Sequence, residues 1–374
     1  MKATVREKVT CAAFCAFLGM VAVLFFVLPK AEYSETEKRY LAEAPVLSWE
    51  SLTSGEFGSD METYMADHIP GRDIFVGLNA YFDLLTGRQV AKDIYLTQNG
   101  ALVEAPIKWN EEQANKNVSS VNALAERLGV SVDFMILPSA GWASKDSISG
   151  LSDPYEDEAL IRQLYAMASD KINCLDMLSV FAAQSDPSAL YYKTDHHWTS
   201  LGAYTAYAAY LQAKGKEPLQ MDDFNIVTAD GFRGSTYSRA ALWLTPGETI
   251  EMWHGSDRLQ VTTLEDPTPH NGVFYTERLE EADMYTAFLD GNHPLVRIHN
   301  PDAAGKGSIL VIRDSYANCL GTILANSYEN VVLVDLRYYH EDVAKLHEAE
   351  QFDDILVCYS LSNFMTDTNL VWLK

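Results

Sequence analysis

The segment from residue 308 to residue 335 constrains the fold most, because it has the pattern of a complete strand-helix-strand unit. Residues 308–312 and 331–335 are apolar and largely β-branched, which predicts two buried strands. Residues 315–325 between them have the composition of a helix. A helical connection of this length joins two parallel strands of one sheet. The segment therefore predicts an α/β fold with a central parallel sheet.

Other segments predict the same alternation of helices and strands. Glu111–Leu128 has the pattern of an amphipathic helix that Gly129 would end, and an apolar run to Leu137 follows as a strand. Strand-like segments bounded by helices indicate a sheet flanked by helices. Further predicted elements are two helices at 60–85 joined by Pro70-Gly71, a hairpin at 93–104, helices at 157–171 and 200–213, and strands at 172–178 and 355–359.

The amino terminus has the pattern of a membrane anchor. Lys2, Arg6 and Lys8 precede an apolar run from about residue 9 to residue 28, long enough to cross a bilayer as a helix. Positive charge before the span places that end in the cytoplasm and the rest of the chain outside. A cleaved signal peptide is the alternative, but residues 25–30 offer no small-x-small cleavage site. We therefore expect a single-pass protein of the cell membrane with an extracellular C-terminal domain.

Composition shifts along the chain suggest a domain organisation. Residues 1–30 form the tail and anchor, and residues 31–60 are polar with scattered Pro and Gly, as in a stalk. Residues 61–374 then form the main domain. Within it, residues 222–263 change to a β-rich character and are predicted to be an insertion. Insertions of this kind commonly shape a substrate cleft.

Charge and cysteine content exclude several classes of function. The 374 residues carry a net charge of −24, which argues against nucleic acid as a partner because phosphate contacts need a basic surface. Of the five cysteines, Cys11 and Cys15 fall in the predicted span, and the remaining odd number indicates buried free thiols. No cysteine has metal-ligand spacing. The cysteines therefore indicate no metal site, and we expect no cofactor.

Ser315 lies where a nucleophile would be expected. The predicted strand ends just before it and the predicted helix starts with it, so its hydroxyl would stand at the carboxyl end of the sheet. Its backbone N–H would lie at the positive end of the helix, where a developing oxyanion is stabilised. A loop at the end of another strand, residues 139–142, ends in Trp142, which either lines a substrate cleft or packs beneath the loop.

A serine nucleophile needs an imidazole base and an acceptor that orients the base. Asp195 and His197 supply these types with one residue between them, so in extended backbone both point to the same face and His196 to the other. We predict His197 as the base and Asp195 as its orienting acid. His293 and His299 are lone histidines that could compete for the role of base, although a structural role is the simpler interpretation.

The string Thr194-Asp195-His196-His197-Trp198 resembles the signature of the DHHW-motif family of bacterial surface proteins. That family resembles the SGNH (GDSL-type) acyl-ester hydrolases and the alginate O-acetyltransferases. The resemblance implies an SGNH-hydrolase-like core over residues 61–374 and a triad of Asp195, His197 and Ser315. The order Asp, His, Ser matches the alginate enzymes. The string 313–316 is Arg-Asp-Ser-Tyr where some relatives have Gly-Thr-Ser-Tyr. Supporting matches lie at 34–45, 67–72, 335–339, 359–360 and 363–364.

The resemblance also implies an activity, further site residues and partners. It implies an esterase or O-acetyltransferase that acts on a cell-surface polysaccharide or other acylated glycan, with a membrane-bound O-acyltransferase as a candidate partner. Relatives use additional oxyanion donors from late in the chain, and the candidates here are Arg337, Tyr338 and Asn363. Two alternatives remain open. One is a non-catalytic surface protein that binds glycans or supports an assembly with a degenerate triad, and the other is a metal site formed by residues 195–197.

Overall fold

The computed structural model describes residues 4–34, 39–88, 90–91, 93–148 and 153–374, so Lys2 and Glu37 lie outside the described residues. The chain divides into two compact units. The first comprises residues 1–91 with 238–243, and the second comprises residues 92–237 with 244–374. The predicted boundaries at residues 30 and 60 do not coincide with this division, and the stalk remains a prediction.

The first unit begins with the long apolar helix α1 (Val5–Val27). Its start is fixed by a capping box in which the Thr4 side chain accepts the Glu7 N–H and the Glu7 side chain accepts the Thr4 N–H. The helix is long and apolar enough to cross a membrane, and none of its residues is buried against the described part of the chain. A signal sequence near the amino terminus would have the same properties.

Asp67 is the main polar anchor of the first unit. Its buried carboxylate accepts hydrogen bonds from the Arg39 guanidinium at 2.5 and 2.9 Å and from the Ala42 N–H at 2.9 Å. The predicted turn at Pro70-Gly71 is confirmed, because one helix ends at His68 and the next begins at Arg72. The elements are β1 (Tyr33–Ser34), β2 (Arg39–Tyr40), α2 (Trp49–Ser54), α3 (Glu56–His68), α4 (Arg72–Leu85) and β3 (Val90–Ala91).

The rest of the chain alternates strands with helices, as predicted. Its elements are β4 (Ile94–Leu96), β5 (Leu102–Glu104), α5 (Glu111–Leu128), β6 (Val132–Leu137), α6 (Ala140–Ala143), α7 (Asp157–Ala166), β7 (Ile172–Leu175), α8 (Met177–Ala182), α9 (Ser200–Ala213), β8 (Asn225–Phe232), α10 (Ser235–Ala240), β9 (Glu248–His254), β10 (Gln260–Thr263), β11 (His270–Asn271), β12 (Leu295–His299), β13 (Ser308–Arg313), α11 (Tyr316–Leu324), β14 (Asn330–Val334), α12 (Val343–Glu350), β15 (Asp354–Ser360) and α13 (Leu361–Thr366).

The core of the second unit is a sheet with the strand order β11-β10-β12-β14-β13-β15-β6-β7. The run from β14 to β7 is parallel, and β12, β10 and β11 extend the sheet as antiparallel strands. The strand β13 is central, and its residues from Ile309 to Arg313 are buried because neighbours cover both faces. The predicted α/β architecture with a central, mostly parallel sheet is therefore confirmed.

The β-rich segment at 222–263 divides into two parts. Strands β8 and β9 pair with each other as a separate two-stranded sheet. Strand β10, which the sequence placed in the insertion, instead pairs antiparallel with β12 and so belongs to the central sheet. In this pairing the buried Val261 lies opposite the buried Ile298 of β12, whereas the neighbouring Gln260 and Thr262 are not buried.

A buried ion cluster lies at the end of the sheet opposite the carboxyl ends of the parallel strands. Asp133 and Asp354 stand near the starts of β6 and β15, and the Lys214 ammonium lies 2.9 Å from each of the two carboxylates. Both aspartates are less than a tenth exposed. Removing one partner from such a cluster leaves charge buried without compensation. We expect this cluster to contribute to stability, away from the candidate site.

Candidate active site

Ser315 occupies the tight turn between β13 and α11, where it is the N-cap residue of the helix. The turn places the hydroxyl at the carboxyl end of the central strand, as the sequence predicts. Ser315 is 8% exposed. Within the described residues its backbone N–H donates to no acceptor, so it is available at the positive end of a nine-residue helix.

Asp314, the residue before Ser315, holds this turn in place. Asp314 is 3% exposed, and its carboxylate accepts hydrogen bonds from the Tyr316 N–H at 3.0 Å and from the N–H and hydroxyl of Ser360 at 2.9 and 2.8 Å. Ser360 is also the N-cap of α13. The carboxylate therefore joins the Ser315 turn to the end of the adjacent strand β15.

Asp195, His196 and His197 lie on a loop between Tyr191 and Trp198, which pair with each other through a single β-bridge. The backbone of this loop bends, and the Asp195 carboxylate accepts the N–H of His197 at 2.9 Å. The expectation of extended backbone was therefore wrong. As a result His196 does not point away: its ring lies 3.9 Å from that of His197 between centroids, and its Nδ1 lies 3.6 Å from Asp195 Oδ1.

The structure brings the three predicted side chains into one line of hydrogen bonds. His197 Nε2 lies 2.7 Å from Ser315 Oγ, and His197 Nδ1 lies 2.5 Å from Asp195 Oδ1. A carboxylate can only accept, so Nδ1 carries the proton and Nε2 presents its lone pair to the serine hydroxyl. This is the tautomer that a general base requires.

Two further contacts fix the histidine loop to the serine turn. The Trp198 indole N–H donates to the Tyr316 carbonyl at 2.9 Å, and the Tyr316 hydroxyl donates to the His196 carbonyl. Trp198 is fully buried and Tyr316 is 2% exposed. Because Tyr316 directly follows the serine, these contacts fix the distance between Ser315 and His197.

Local electrostatics favour an ionised Asp195 and a neutral His196. Burial favours the neutral form of Asp195, but the neighbouring rings of His197 and His196 and the hydrogen bonds to the carboxylate outweigh it and hold its pKa well below the usual range. Burial, together with the adjacent His197, lowers the pKa of His196. We therefore expect a carboxylate at position 195 and an uncharged ring at position 196 at neutral pH.

Tyr285 is a site residue that the sequence analysis missed. Its ring lies flat on the ring of His197, with a centroid distance of 3.9 Å and an angle of 7° between the planes. Its hydroxyl is buried and has no hydrogen-bond partner among the described residues. Tyr285 lies 88 residues after His197 in the sequence, in a short 3-10 helix (Met284–Ala287), so no periodicity or motif identifies it.

The predicted oxyanion donors lie near the same edge of the sheet as Ser315. Arg337 follows β14, the parallel neighbour of β13, and its Nε and Nη2 donate to Asp335 at 2.9 and 2.6 Å. Tyr338 is 53% exposed, and its ring centroid lies 5.5 Å from the Arg337 guanidinium carbon. Asn363 Nδ2 donates to the Asp314 carboxylate at 2.8 Å, which places the amide beside the serine turn. Their role as oxyanion donors remains a prediction.

Trp142 is buried at 8% exposure beside Lys145 and lines a cavity of about 340 Å³ with residues of α7 and α8. None of the three triad candidates lines that cavity. A place for Trp142 in the substrate cleft therefore remains a prediction.

The alternative bases have other partners. His293 Nδ1 lies 3.4 Å from Glu265, and His299 Nδ1 lies 3.0 Å from the Asn330 side-chain oxygen.

Burial raises the pKa of the Cys319 thiol to about 12, which makes it a poor nucleophile at neutral pH.

The bend in the loop also brings possible metal ligands together. One ligand atom from each of Asp195, His196 and His197 lies within 4.8 Å of the others. A metal ion would compete with existing contacts, because both nitrogens of His197 have hydrogen-bond partners and His196 Nδ1 lies 2.5 Å from Ser235 Oγ. The donor set therefore fits the line of hydrogen bonds to Ser315 better than it fits a metal shell.

Two solved structures, a DHHW family protein and PatB1, share this fold. A DHHW family protein from Eubacterium siraeum is 20% identical, with a TM-score of 0.62 over 76% of this chain and 97% of that one. Bacillus cereus PatB1, in a structure with a sulfonyl adduct, is 22% identical, with a TM-score of 0.63 over 75% of this chain and 98% of that one. The O-acetyltransferase domain of Pseudomonas putida AlgJ is 13% identical, with a TM-score of 0.44 over 73% and 92%.

No curated protein matches the chain. The family described as DHHW protein matches residues 108–334, which is more than half of the sequence and includes Asp195, His197 and Ser315. The chain belongs to the DHHW family.

Proposed function

We propose that the protein is a membrane-anchored extracellular serine esterase or O-acetyltransferase of the SGNH type, acting on a cell-surface polysaccharide. The observation that carries the proposal is the line of hydrogen bonds from Ser315 Oγ to His197 Nε2 at 2.7 Å and from His197 Nδ1 to Asp195 at 2.5 Å. Enzymes of several unrelated folds perform acyl transfer with a hydroxyl, an imidazole and a carboxylate that are hydrogen-bonded in this order.

In the first half-reaction the Ser315 oxygen attacks the acyl carbonyl while His197 Nε2 takes the hydroxyl proton. The carbonyl oxygen becomes an oxyanion, and the unpaired N–H of Ser315 at the start of α11 is placed to stabilise it. Arg337, Tyr338 and Asn363 are the candidates for further donors. Collapse of the intermediate releases the alcohol, which receives the proton from His197, and leaves an acyl ester on Ser315.

In the second half-reaction the acyl ester is attacked by water or by a sugar hydroxyl, which His197 deprotonates in the same way. Water would give hydrolysis and a sugar hydroxyl would give transfer to a glycan. The low exposure of Ser315 supports a small acyl group such as acetyl. These steps use only side chains and backbone of the protein and require no cofactor.

The apolar helix α1 supports the proposed location. As an uncleaved anchor it would hold the domain on the outer surface of the cell membrane, next to a polysaccharide acceptor. The same location would allow an acyl group to be delivered by a membrane-bound O-acyltransferase.

The test is hydrolysis of p-nitrophenyl acetate by the purified full-length protein in detergent. We expect burst or steady-state release of nitrophenol that is lost in Ser315→Ala and unaffected by a chelator. Activity that a chelator abolishes would favour the metal site. If the protein turns over none of the acyl donors tried, the proposal is overturned. That result would favour a non-catalytic glycan-binding or assembly protein with a degenerate triad.

A further inference from the structure

The inserted segment between α9 and β10 holds the loop that carries the acid. We propose that Gly234, Ser235 and Glu248 of this segment are positioning residues for Asp195. The insertion then orients the acid that in turn orients His197. This inference rests on the proposed function, because it requires Asp195 to orient His197.

The first contact is made to the carboxylate itself. The Ser235 N–H donates to Asp195 Oδ2 at 2.6 Å, whereas Asp195 Oδ1 accepts both the backbone N–H and the ring Nδ1–H of His197. Each carboxylate oxygen therefore has its own donors on opposite sides. Rotation of the carboxylate about its χ2 torsion would break both sets of bonds, so the contact from Ser235 fixes the direction of the bond to His197.

The second contact is steric and requires a glycine. A Cβ atom added to Gly234 would lie 2.0 Å from Asp195 Oδ2 and 2.2 Å from Asp195 Cβ, distances at which real atoms do not pack. Its N–H also lies 3.4 Å from Thr194 Oγ1. The absence of a side chain at position 234 is therefore what allows the insertion to approach the acid closely enough for the Ser235 hydrogen bond.

The third contact is made to the backbone just before the acid. The Glu248 carboxylate accepts hydrogen bonds from the N–H of Lys193 at 2.8 Å and from the N–H and hydroxyl of Thr194 at 2.7 and 2.5 Å. Three donors converge on one side chain, and a charged acceptor makes each bond stronger than a neutral one would be. Glu248 therefore anchors the chain immediately before Asp195.

The pairing of the two strands explains how these contacts coincide. Glu248, the first residue of β9, lies opposite Phe232, the last residue of β8. After Phe232 and one further residue, the chain reaches Gly234 and Ser235. A further hydrogen bond joins the Tyr237 N–H to the Thr194 carbonyl at 2.9 Å. The two strand ends therefore approach the loop together, and Asp195 is held by the hairpin rather than by the central sheet.

The most informative variant is Glu248→Gln in the full-length protein. It preserves shape but replaces one accepting oxygen with an NH₂ group that faces an N–H of Lys193 or Thr194. The matched control is Asp230→Asn on the same hairpin, because Asp230 is exposed and accepts a hydrogen bond from Thr249. We expect E248Q to lower kcat on p-nitrophenyl acetate roughly 10- to 100-fold, as small displacements of catalytic groups do. KM should stay at the D230N value, and E248Q should remain folded at the assay temperature although the lost hydrogen bonds lower its unfolding midpoint.

A double-mutant comparison distinguishes positioning from a general structural role. In an Asp195→Ala background E248Q should lower the residual rate less than twofold, since its effect is transmitted through the missing carboxylate. Gly234→Ala should reproduce the loss of kcat if E248Q proves too unstable to assay. Two results would overturn the inference but leave the proposed function intact, provided that the wild-type protein is active. One is an E248Q rate equal to that of D230N. The other is an E248Q effect that is just as large in the D195A background. A wild-type protein without turnover would overturn both.

Discussion

Replacing Asp195 with asparagine changes one atom at the centre of the proposed site. The carboxylate has hydrogen-bond donors on both of its oxygens, from Ser235 on one side and from two N–H groups of His197 on the other. An amide has only one oxygen, so in either orientation its NH₂ group faces an N–H. If the NH₂ faces His197, the ring must accept at Nδ1 and carry its proton on Nε2, where it can no longer accept the Ser315 proton.

The magnitude follows from the charge that is removed. When His197 takes the serine proton it becomes an imidazolium, and the carboxylate stabilises that charge at a separation of about 4 Å between charge centres. With an effective dielectric constant of 20 this interaction is about 4 kcal/mol. Each 1.36 kcal/mol is a factor of ten in rate, so we expect D195N to lower kcat by about three orders of magnitude.

The assay is the initial rate of p-nitrophenyl acetate hydrolysis at saturating substrate, with Asp230→Asn as the control for loss of a carboxylate on the same unit. KM should change little, because Asp195 is 3% exposed and we expect a bound ester to contact Ser315 and not Asp195. A D195N protein that is folded and retains more than about a tenth of wild-type kcat would refute the claim that Asp195 orients and stabilises His197.

Three other predictions follow from the packing and the charges. Tyr285→Leu removes the ring stacked on His197, a contact of the kind that contributes about 1 kcal/mol, so kcat should fall several-fold, with a smaller loss in Tyr285→Phe. Lys214→Met leaves the buried Asp133 without its cation, whereas Asp354 keeps Lys216 at 2.6 Å, so chemical denaturation should show about 2 kcal/mol of lost stability. Hydrogen bonds from Arg39 lower the Asp67 pKa to about 2, so this stabilisation is present above pH 4 and is lost as pH falls toward 2. Acid titration should show a loss of roughly 1 kcal/mol over that range, given the exposure of Arg39, and D67N should lack it.

Local patterns predicted the sheet and the position of Ser315, the proposed nucleophile. The helix Glu111–Leu128 with Gly129 after it is confirmed, because amphipathic spacing and a left-handed glycine are both local signals. Ser315 is confirmed at the start of a helix directly after a buried strand for the same reason. The family resemblance rested on the short string at 194–198, and the match over residues 108–334 confirms it.

What the sequence did not predict depends on contacts between distant residues. The bend at Asp195 that turns His196 back toward His197 depends on a carboxylate accepting a backbone N–H, and regular strand geometry gives no sign of it. Tyr285 and Glu248 reach the site from segments 88 and about 50 residues away, and neither has a spacing that marks it. Strand β10 was assigned to the insertion because of its alternating Val and Thr residues, and local pattern could not identify its pairing partner, β12, more than 30 residues later.

The most direct test of the account is the reaction of the full-length protein with a sulfonyl fluoride, followed by peptide mass spectrometry. This reagent labels a serine only when an adjacent base activates it, and it requires no knowledge of the natural substrate. The account predicts a single sulfonyl group on Ser315 that is absent in Ser315→Ala and formed at a rate at least a hundredfold lower in His197→Ala. Labelling of another residue, or labelling of Ser315 at the same rate without His197, would contradict it.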